Sequence, residues 1–412
     1  MKIMKHLKTL WISLGLSCLG CMISHAEPAA FTTSTDAEPI VLENDIVWGR
    51  QIGTAANDVL LSVNVDSQDN VYVIGSTEGS LAGENHGKKD AFFVKYNSTG
   101  DELYRRQIGT AEDDEGLYII CDPHDNVVVT GFTSGQLGDQ HFGGSDAFVA
   151  KYSPEGELLW LTQYGSDQDD QGYTIELDAE GNIVICGGTN GVMGEKNLGK
   201  QDSVVTKLSA DGKVLWNTQF GTPELEYGRG LCIDSKGTIL AVSSFYMTNI
   251  SSIVAISPDG KILKQKDFAD IKLFDVFTNE DDEIYVSGHN KGTSMFERLD
   301  GDFEPMWVKT FHHGQWSGEK EIRPFRNNLY VTSGCMNWPK CFGFVRIYDA
   351  FDNLKYWNKI RKSTDFESED STCGNFLAVD SNGAIYHVGG TDEDFYAPNA
   401  GDKDGFLCKI EF

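Results

Sequence analysis

The sequence predicts an all-β fold, a seven-bladed β-propeller of four-stranded antiparallel blades whose ring is closed by the N-terminal strand in the last blade. Three observations carry this reading. A unit of four strand-like runs recurs along the chain, and a fixed period of this kind marks repeat architectures. Four antiparallel strands per unit, arrayed radially, make a propeller. Finally, the pattern is offset: it starts on a fourth strand, "DIVWGRQIG" from Asp45, and ends on a third, "GFLCKIEF" from Gly405. Pairing the two closes a ring and removes two exposed edges, whereas an open solenoid, the rival arrangement, has no use for the offset.

The chain opens on an export signal. Lys2, Lys5 and Lys8 precede an apolar run from Leu10 to Ile23, and Ser24-His25-Ala26 is a small-x-small cleavage site. Residues 1–26 therefore read as a signal peptide. The run is too short to span a bilayer, and no transmembrane helix is expected elsewhere. Cys21, in "LSCLGC", offers lipidation as an alternative to cleavage after Ala26. Residues 27–43 are mostly small and polar and read as a flexible linker. Residues 44–412 read as the propeller, and an exported location follows: periplasmic, anchored at the outer membrane, or extracellular.

The repeat begins at once. Trp48, Tyr104, Trp160 and Trp216 are spaced by 56 residues, as are Gln51, Gln107, Gln163 and Gln219, and Asp66, Asp122, Asp178 and Asp234. Beyond these the period shortens, but fourth-strand anchors persist near Lys264, Trp307 and Tyr356. The anchors count seven blades. In the second unit "GLYIICD", "NVVVTGF", "AFVAKYS" and "ELLWLTQYG" are the four strands, rich in β-branched and aromatic residues and bounded by Gly, Pro, Asp or Asn. Gly100, Gly156, Gly212 and Gly260 sit in short hairpin loops where positive φ is needed. No helical period is convincing in the mature chain.

The unit "DAFVAKYSPEGELLWLTQYGSDQDDQGYTIELDAEGNIVICGGT" resembles the bacterial seven-bladed β-propeller (SBBP) repeat, with its Asp-Ala-Phe-Val third strand, Trp-x-x-Gln-x-Gly fourth strand and Asp-x-x-Gly-Asn hairpin. Three units match well, the unit from Cys373 matches in part, and units four to six keep only the strand rhythm. The resemblance covers residues 44–412. It implies a secreted or surface propeller and no particular reaction, because a fold does not give a function.

Composition narrows the partners. The 62 acidic and 34 basic residues give a formal net charge of −28, a field that repels nucleic acid and anionic membranes. A neutral glycan or another protein is easier to accommodate, and a monomer is expected. Seven cysteines follow the signal. Cys121, Cys186, Cys232 and Cys408 replace apolar residues in strand patterns and read as small buried hydrophobes. Cys335 and Cys341 sit together in a predicted loop, "CMNWPKC", and are the disulfide candidates. No zinc-ligand spacing appears.

Asp58, Asp114, Asp170 and Glu226 recur in the loops that enter the first strands, and Asp90, Asp146, Asp202 and Asp404 at the starts of third strands. Together they could hold Ca²⁺, which takes several oxygen ligands; no other cofactor is implied. The plain alternative is that each carboxylate fixes its own turn. A single asymmetric site belongs where the repeat breaks down. His312, His313, Trp316 and Trp338 collect there, around blades five and six, with His289 opening the matching loop of the fifth blade. They are candidate ligand-binding residues, and catalytic residues remain unassigned. The leading functional reading is an exported, non-catalytic propeller that binds or scaffolds a glycan or protein at the cell surface. The alternative is a carbohydrate-active enzyme, a polysaccharide lyase or glycoside hydrolase, with its site on that irregular sector. A lyase acting on uronates needs basic residues that so acidic a chain supplies poorly, and a hydrolase needs a specific carboxylate pair that the pattern does not select.

Overall fold

The computed structural model describes residues 46–411 apart from 246–249, 291–292, 312–317, 326–328, 337–341, 350–353 and 361–371. All its regular structure is strand. The first strand, β1 (Ile46–Ile52), is followed by β2 (Asp58–Val65), β3 (Val71–Thr77), β4 (Asp90–Tyr96) and β5 (Glu102–Ile108), which form one antiparallel sheet in chain order. The same meander is repeated by β6 (Asp114–Cys121), β7 (Val127–Thr133), β8 (Asp146–Tyr152) and β9 (Leu158–Tyr164), and by β10 (Asp170–Leu177), β11 (Ile183–Thr189), β12 (Asp202–Leu208) and β13 (Val214–Phe220). Three shifted versions follow. They are β14 (Glu226–Ile233), β15 (Ile239–Phe245), β16 (Ile250–Ile256) and β17 (Ile262–Ala269); β18 (Ile271–Thr278), β19 (Ile284–Asn290), β20 (Thr293–Leu299) and β21 (Pro305–Phe311); and β22 (Gly318–Phe325), β23 (Leu329–Met336), β24 (Phe342–Asp349) and β25 (Leu354–Ile360). The remaining strands, β26 (Thr372–Val379), β27 (Ile385–Thr391) and β28 (Asp404–Ile410), form a sheet in which β28 pairs with β1. That ladder runs antiparallel from Ile46 opposite Ile410 to Ile52 opposite Gly405.

Middle strands are buried on both faces, every residue of β3 and β4 being buried, so such strands read as near-continuous apolar runs rather than alternating ones. In β3 and β4, Val71, Val73, Phe92 and Val94 pack with Tyr386, Val388 and Leu407 of the β26–β28 sheet. The intervening Tyr72, Ile74, Ala91 and Phe93 pack with Ile119, Val127 and Phe148 of the next sheet. The period-2 pleat thus sends alternate residues to two different neighbours. The opposite face of the β26–β28 sheet, through Ile385, Phe406 and Cys408, meets Val345 and Ile347 of β24.

The turns match the sequence. Gly100, Gly156, Gly212 and Gly260 close the hairpins between third and fourth strands with φ of 82° to 87°, the left-handed region where a side chain is strained. Asp69, Asp125 and Asp282 adopt the same region at φ 59° to 62° despite their side chains. Their carboxylates reach the neighbouring sheet: Ser67 N–H and hydroxyl donate to Asp125, Ser235 to Asp282, and Ser381 to Asp69, at 2.7–3.0 Å. An aspartate can hold this strained position because its bonds to the adjacent turn offset the cost.

Two expectations need correction. The loop expected to begin at Cys335 starts later, because Cys335 and Met336 pair with Gly343 and Phe342 inside the β23–β24 ladder. His289 does not open a loop either; it lies within β19, opposite Lys272 and Ser294. Cys186, Cys232 and Cys408 are buried as expected, while Cys121 is only half-buried.

Candidate functional site

The recurring carboxylates are the first candidates, and their local geometry is uniform. Asp58 Oδ2 accepts the Thr54 N–H and its hydroxyl, the latter at 2.9 Å. Thr110 does the same for Asp114, Ser166 for Asp170 and Thr222 for Glu226. Each of the four carboxylates is at most 1% exposed, so each fixes its own turn. The third-strand partner is held from the other side. Gln107 Nε2 donates to Asp90 Oδ2, Gln163 to Asp146, Gln219 to Asp202 and Gln51 to Asp404, at 2.6–2.8 Å.

What remains at each junction is a pair of carboxyl oxygens with no hydrogen-bond partner: Asp58 and Asp404, Asp90 and Asp114, Asp146 and Asp170, and Asp202 and Glu226. Burial, first, raises the pKa of Asp58, Asp114 and Asp170; nearby hydroxyl and backbone donors oppose it, and the facing carboxylate adds to it. Glu226 is pushed up to about 7, again mainly by burial. The carboxylates therefore do not gather into one Ca²⁺ ring; they sit two per junction. Among the described residues no group of three or more His, Cys, Asp or Glu is placed to hold a metal ion.

A different feature lies where the first strands converge. Each first strand carries a bulge: the register slips between Leu60 and Ser62, Gly116 and Tyr118, Gly172 and Thr174, Gly228 and Leu231, and Leu273 and Asp275. A bulged residue leaves the ladder and is re-aimed. The residues so released, Leu61, Leu117, Tyr173, Arg229 and Phe274, line a cavity of about 250 Å³, joined by Asn375 and Phe376 from the bulge of β26.

Arg229 is the cation of this apolar wall. Its Nε donates to Ser244 Oγ at 3.2 Å, and its guanidinium lies 5.2 Å from the Tyr227 ring centroid. No carboxylate among the described residues forms an ion pair with it. Burial lowers its pKa, and Arg229 in turn helps lower that of half-buried Lys272. Beside the cavity, a polar cleft of about 550 Å³ is lined by Lys89, Glu115, Gln171 and Tyr227. Glu115, Gln171 and Tyr227 keep the 56-residue step.

Of the residues singled out in the irregular sector, His312, His313, Trp316, Trp338 and Cys341 lie outside the described residues. Cys335 is placed only by its backbone in β23. His289 stands at the edge of the cavity wall, its ring edge-on to Phe274 at 5.4 Å. Burial and the charge of Lys272 hold its pKa below the usual histidine range. Sequence reasoning missed Arg229. Its signal was one register position reading Leu61, Leu117, Tyr173 and then Arg229, a charge where the repeat supplies bulk.

No family model matches the chain. It is 25% identical over 171 residues to the regulatory protein FlaEY of Caulobacter vibrioides, a stretch covering 37% of this chain and 18% of that protein. It is 26% identical over 180 residues to a WD repeat-containing protein of Acanthamoeba polyphaga mimivirus, covering 35% and 13%. The matched stretches thus span less than a fifth of either relative. Among solved structures, the Neurospora crassa Pan2 WD40 domain superposes with a TM-score of 0.54 at 12% identity, over 91% of this chain and 98% of that one. The WD40 β-propeller domain of Doa1 superposes with a TM-score of 0.51 at 11% identity, over 87% and 97%. The likeness places the fold among β-propellers.

Proposed function

We propose that the chain is an exported, non-catalytic propeller of seven blades, closed by β1 in the last blade, which binds or scaffolds another protein at the cell surface. One observation carries the binding role. Junction residues recur with the same bonds from sheet to sheet, while the bulge position facing the cavity changes from Leu61 and Leu117 to Tyr173, Arg229 and Phe274. A uniform frame holding a chemically varied centre suits recognition; a ring serving only as a spacer has no need of it. Closure is supported by the β1–β28 ladder and by the bond from Asp58 N–H to Lys403 O, which repeats the bonds from Asp114 to Lys89 and from Asp170 to Ser145. Export is supported by the leader through Ala26, and SBBP kinship by the repeated Gln-x-Gly and Asp signatures. The WD40 likeness supports the scaffold alone. A glycan is the second ligand class.

The test immobilises the chain from Glu27 and exposes it to solubilised envelope proteins of its host, to a glycan array, and to polysaccharides in a reducing-end assay. A Lys89→Glu/Tyr227→Ala variant is run beside it. Saturable capture of one protein, weakened several-fold in the variant with its melting temperature unchanged, supports the proposal. Glycan binding in place of protein capture reassigns the ligand. New reducing ends or unsaturated products overturn the non-catalytic reading.

A further inference from the structure

We infer that the cavity between the first strands is a binding site for a monocarboxylate carried on an aromatic or branched apolar body, with Arg229 as the anion's anchor. The inference rests on the reading of the chain as a binding module and names what its centre holds. Three features of the cavity select this chemistry. The wall formed by Leu61, Leu117, Tyr173, Phe274 and Phe376 is apolar, so the body of the ligand is apolar too. Arg229 spends its Nε on Ser244, and among the described residues its terminal nitrogens donate to none. A guanidinium presents a planar fork that a carboxylate matches with two parallel hydrogen bonds. In a chain with 62 acidic residues, a half-buried cation that forms no ion pair with any described carboxylate is conspicuous, because desolvating an unpaired charge is costly.

Size and sign set the remaining limits. A cavity of about 150 Å³ accommodates benzene, so about 250 Å³ accepts one ring or branched chain with a short acidic arm. Cations are repelled by Arg229, the basic residue of the lining. A dianion brings a second charge that Arg229 cannot match, and it would meet Asp275, which lines the same cavity and whose Oδ1 accepts the Val276 N–H. The same chemistry has two sources, a free small acid or the C-terminal residue of a partner polypeptide.

The experiment titrates the full mature chain with 3-phenylpropanoate, 3-phenylpropanamide, and a hexapeptide ending in Phe as free acid or as amide. Binding is read by calorimetry. Variants are Arg229→Gln, which removes the charge, and Leu117→Trp, which fills the cavity and leaves Arg229 in place. The expected result is binding of the acids, at least tenfold weaker binding of the amides, and at least tenfold loss in each variant that keeps its melting transition. Tighter binding of the peptide acid than of phenylpropanoate assigns the source to a partner's C-terminus; the reverse assigns it to a free acid. Equal binding of acid and amide, or no binding of either acid to the folded protein, overturns the inference. Should protein capture in the preceding test survive that result, the binding-module reading stands and only the cavity assignment falls.

Discussion

Glu226 and Asp202 face each other across a glycine. A Cβ added at Gly221 would lie 2.2 Å from Glu226 Oε2 and 2.8 Å from Asp202 Oδ1, and one at Gly165 would likewise meet both Asp170 and Asp146, so at these junctions the glycine of Gln-x-Gly is needed to admit two carboxyl groups. Two buried like charges at this separation disfavour double ionisation. With Glu226 pushed up from its ordinary value of 4.5 to about 7, folding takes up a proton between these pH values. The group's contribution to stability is therefore fully present below about pH 4.5 and is lost as pH rises through about 7. Asp267 adds to the same upward shift, while the Thr222 donors oppose it. Glu226→Gln keeps an acceptor for Thr222 and offers Asp202 a donor. Between pH 5 and 8 the native chain is expected to lose on the order of 1 kcal/mol more stability than this variant, with allowance for screening. Melting temperatures of both proteins at the two pH values check this. Parallel curves would show that the facing carboxyls do not share a proton.

The outer strands act as clasps, and the outer-strand glutamine is the working part. Gln163 on β9 accepts the Leu137 and Gly138 N–H groups and donates to Gly135 O and Asp146 Oδ2. One side chain thus satisfies the loop between β7 and β8 and pins the start of β8. Gln163→Leu is expected to cost about 3 kcal/mol, because it leaves several buried polar groups unpaired. A urea titration should show a lower midpoint with an unchanged slope. Leu158→Ser on the same strand, at a position 54% exposed, should change stability by less than about 0.5 kcal/mol. The 56-residue period made Gln163 and the strand order readable from sequence, since a repeat displays whatever each unit needs. It could not show which neighbour the glutamine serves. Arg229 was hidden for a sharper reason. A bulge breaks the alternation that sorts residues into faces, so an inward-aimed residue looks like any other strand position. His289 and Cys335 were misplaced into loops because ladder bonds, not side-chain preference, extend β19 and β23.

At the scale of the whole molecule, the proposed closure rests on how many separate bonds β1 gathers from distant parts of the chain. Gln51 donates to Glu393 O and Asp404 Oδ2 and accepts the N–H groups of Phe395 and Tyr396, repeating the clasp of Gln163 with strands from opposite ends of the sequence. Trp48 lies 5.8 Å from the Tyr386 ring and donates its Nε1–H to Ser98 O, while Arg50 Nε donates to Gly100 O. The strand therefore ties the β26–β28 sheet to the turn of the β2–β5 sheet. Other bonds join these two sheets without β1, namely Asn375 to Leu60 O and Ser381 to Asp69. Deleting residues 1–53 removes the clasp, the aromatic contact and the partner of the β28 edge together. Losing a large packed aromatic alone costs about 3 kcal/mol or more, and an open apolar edge invites pairing between chains. The expected outcome is insoluble protein or a broad melt shifted well downward. Deleting residues 1–40 keeps β1 and should leave the melt unchanged. Purification and thermal melts of the two truncations decide the matter. If both melt alike, the bonds of β1 are incidental to the ring, and whatever unites the first and last sheets must lie in their direct contacts.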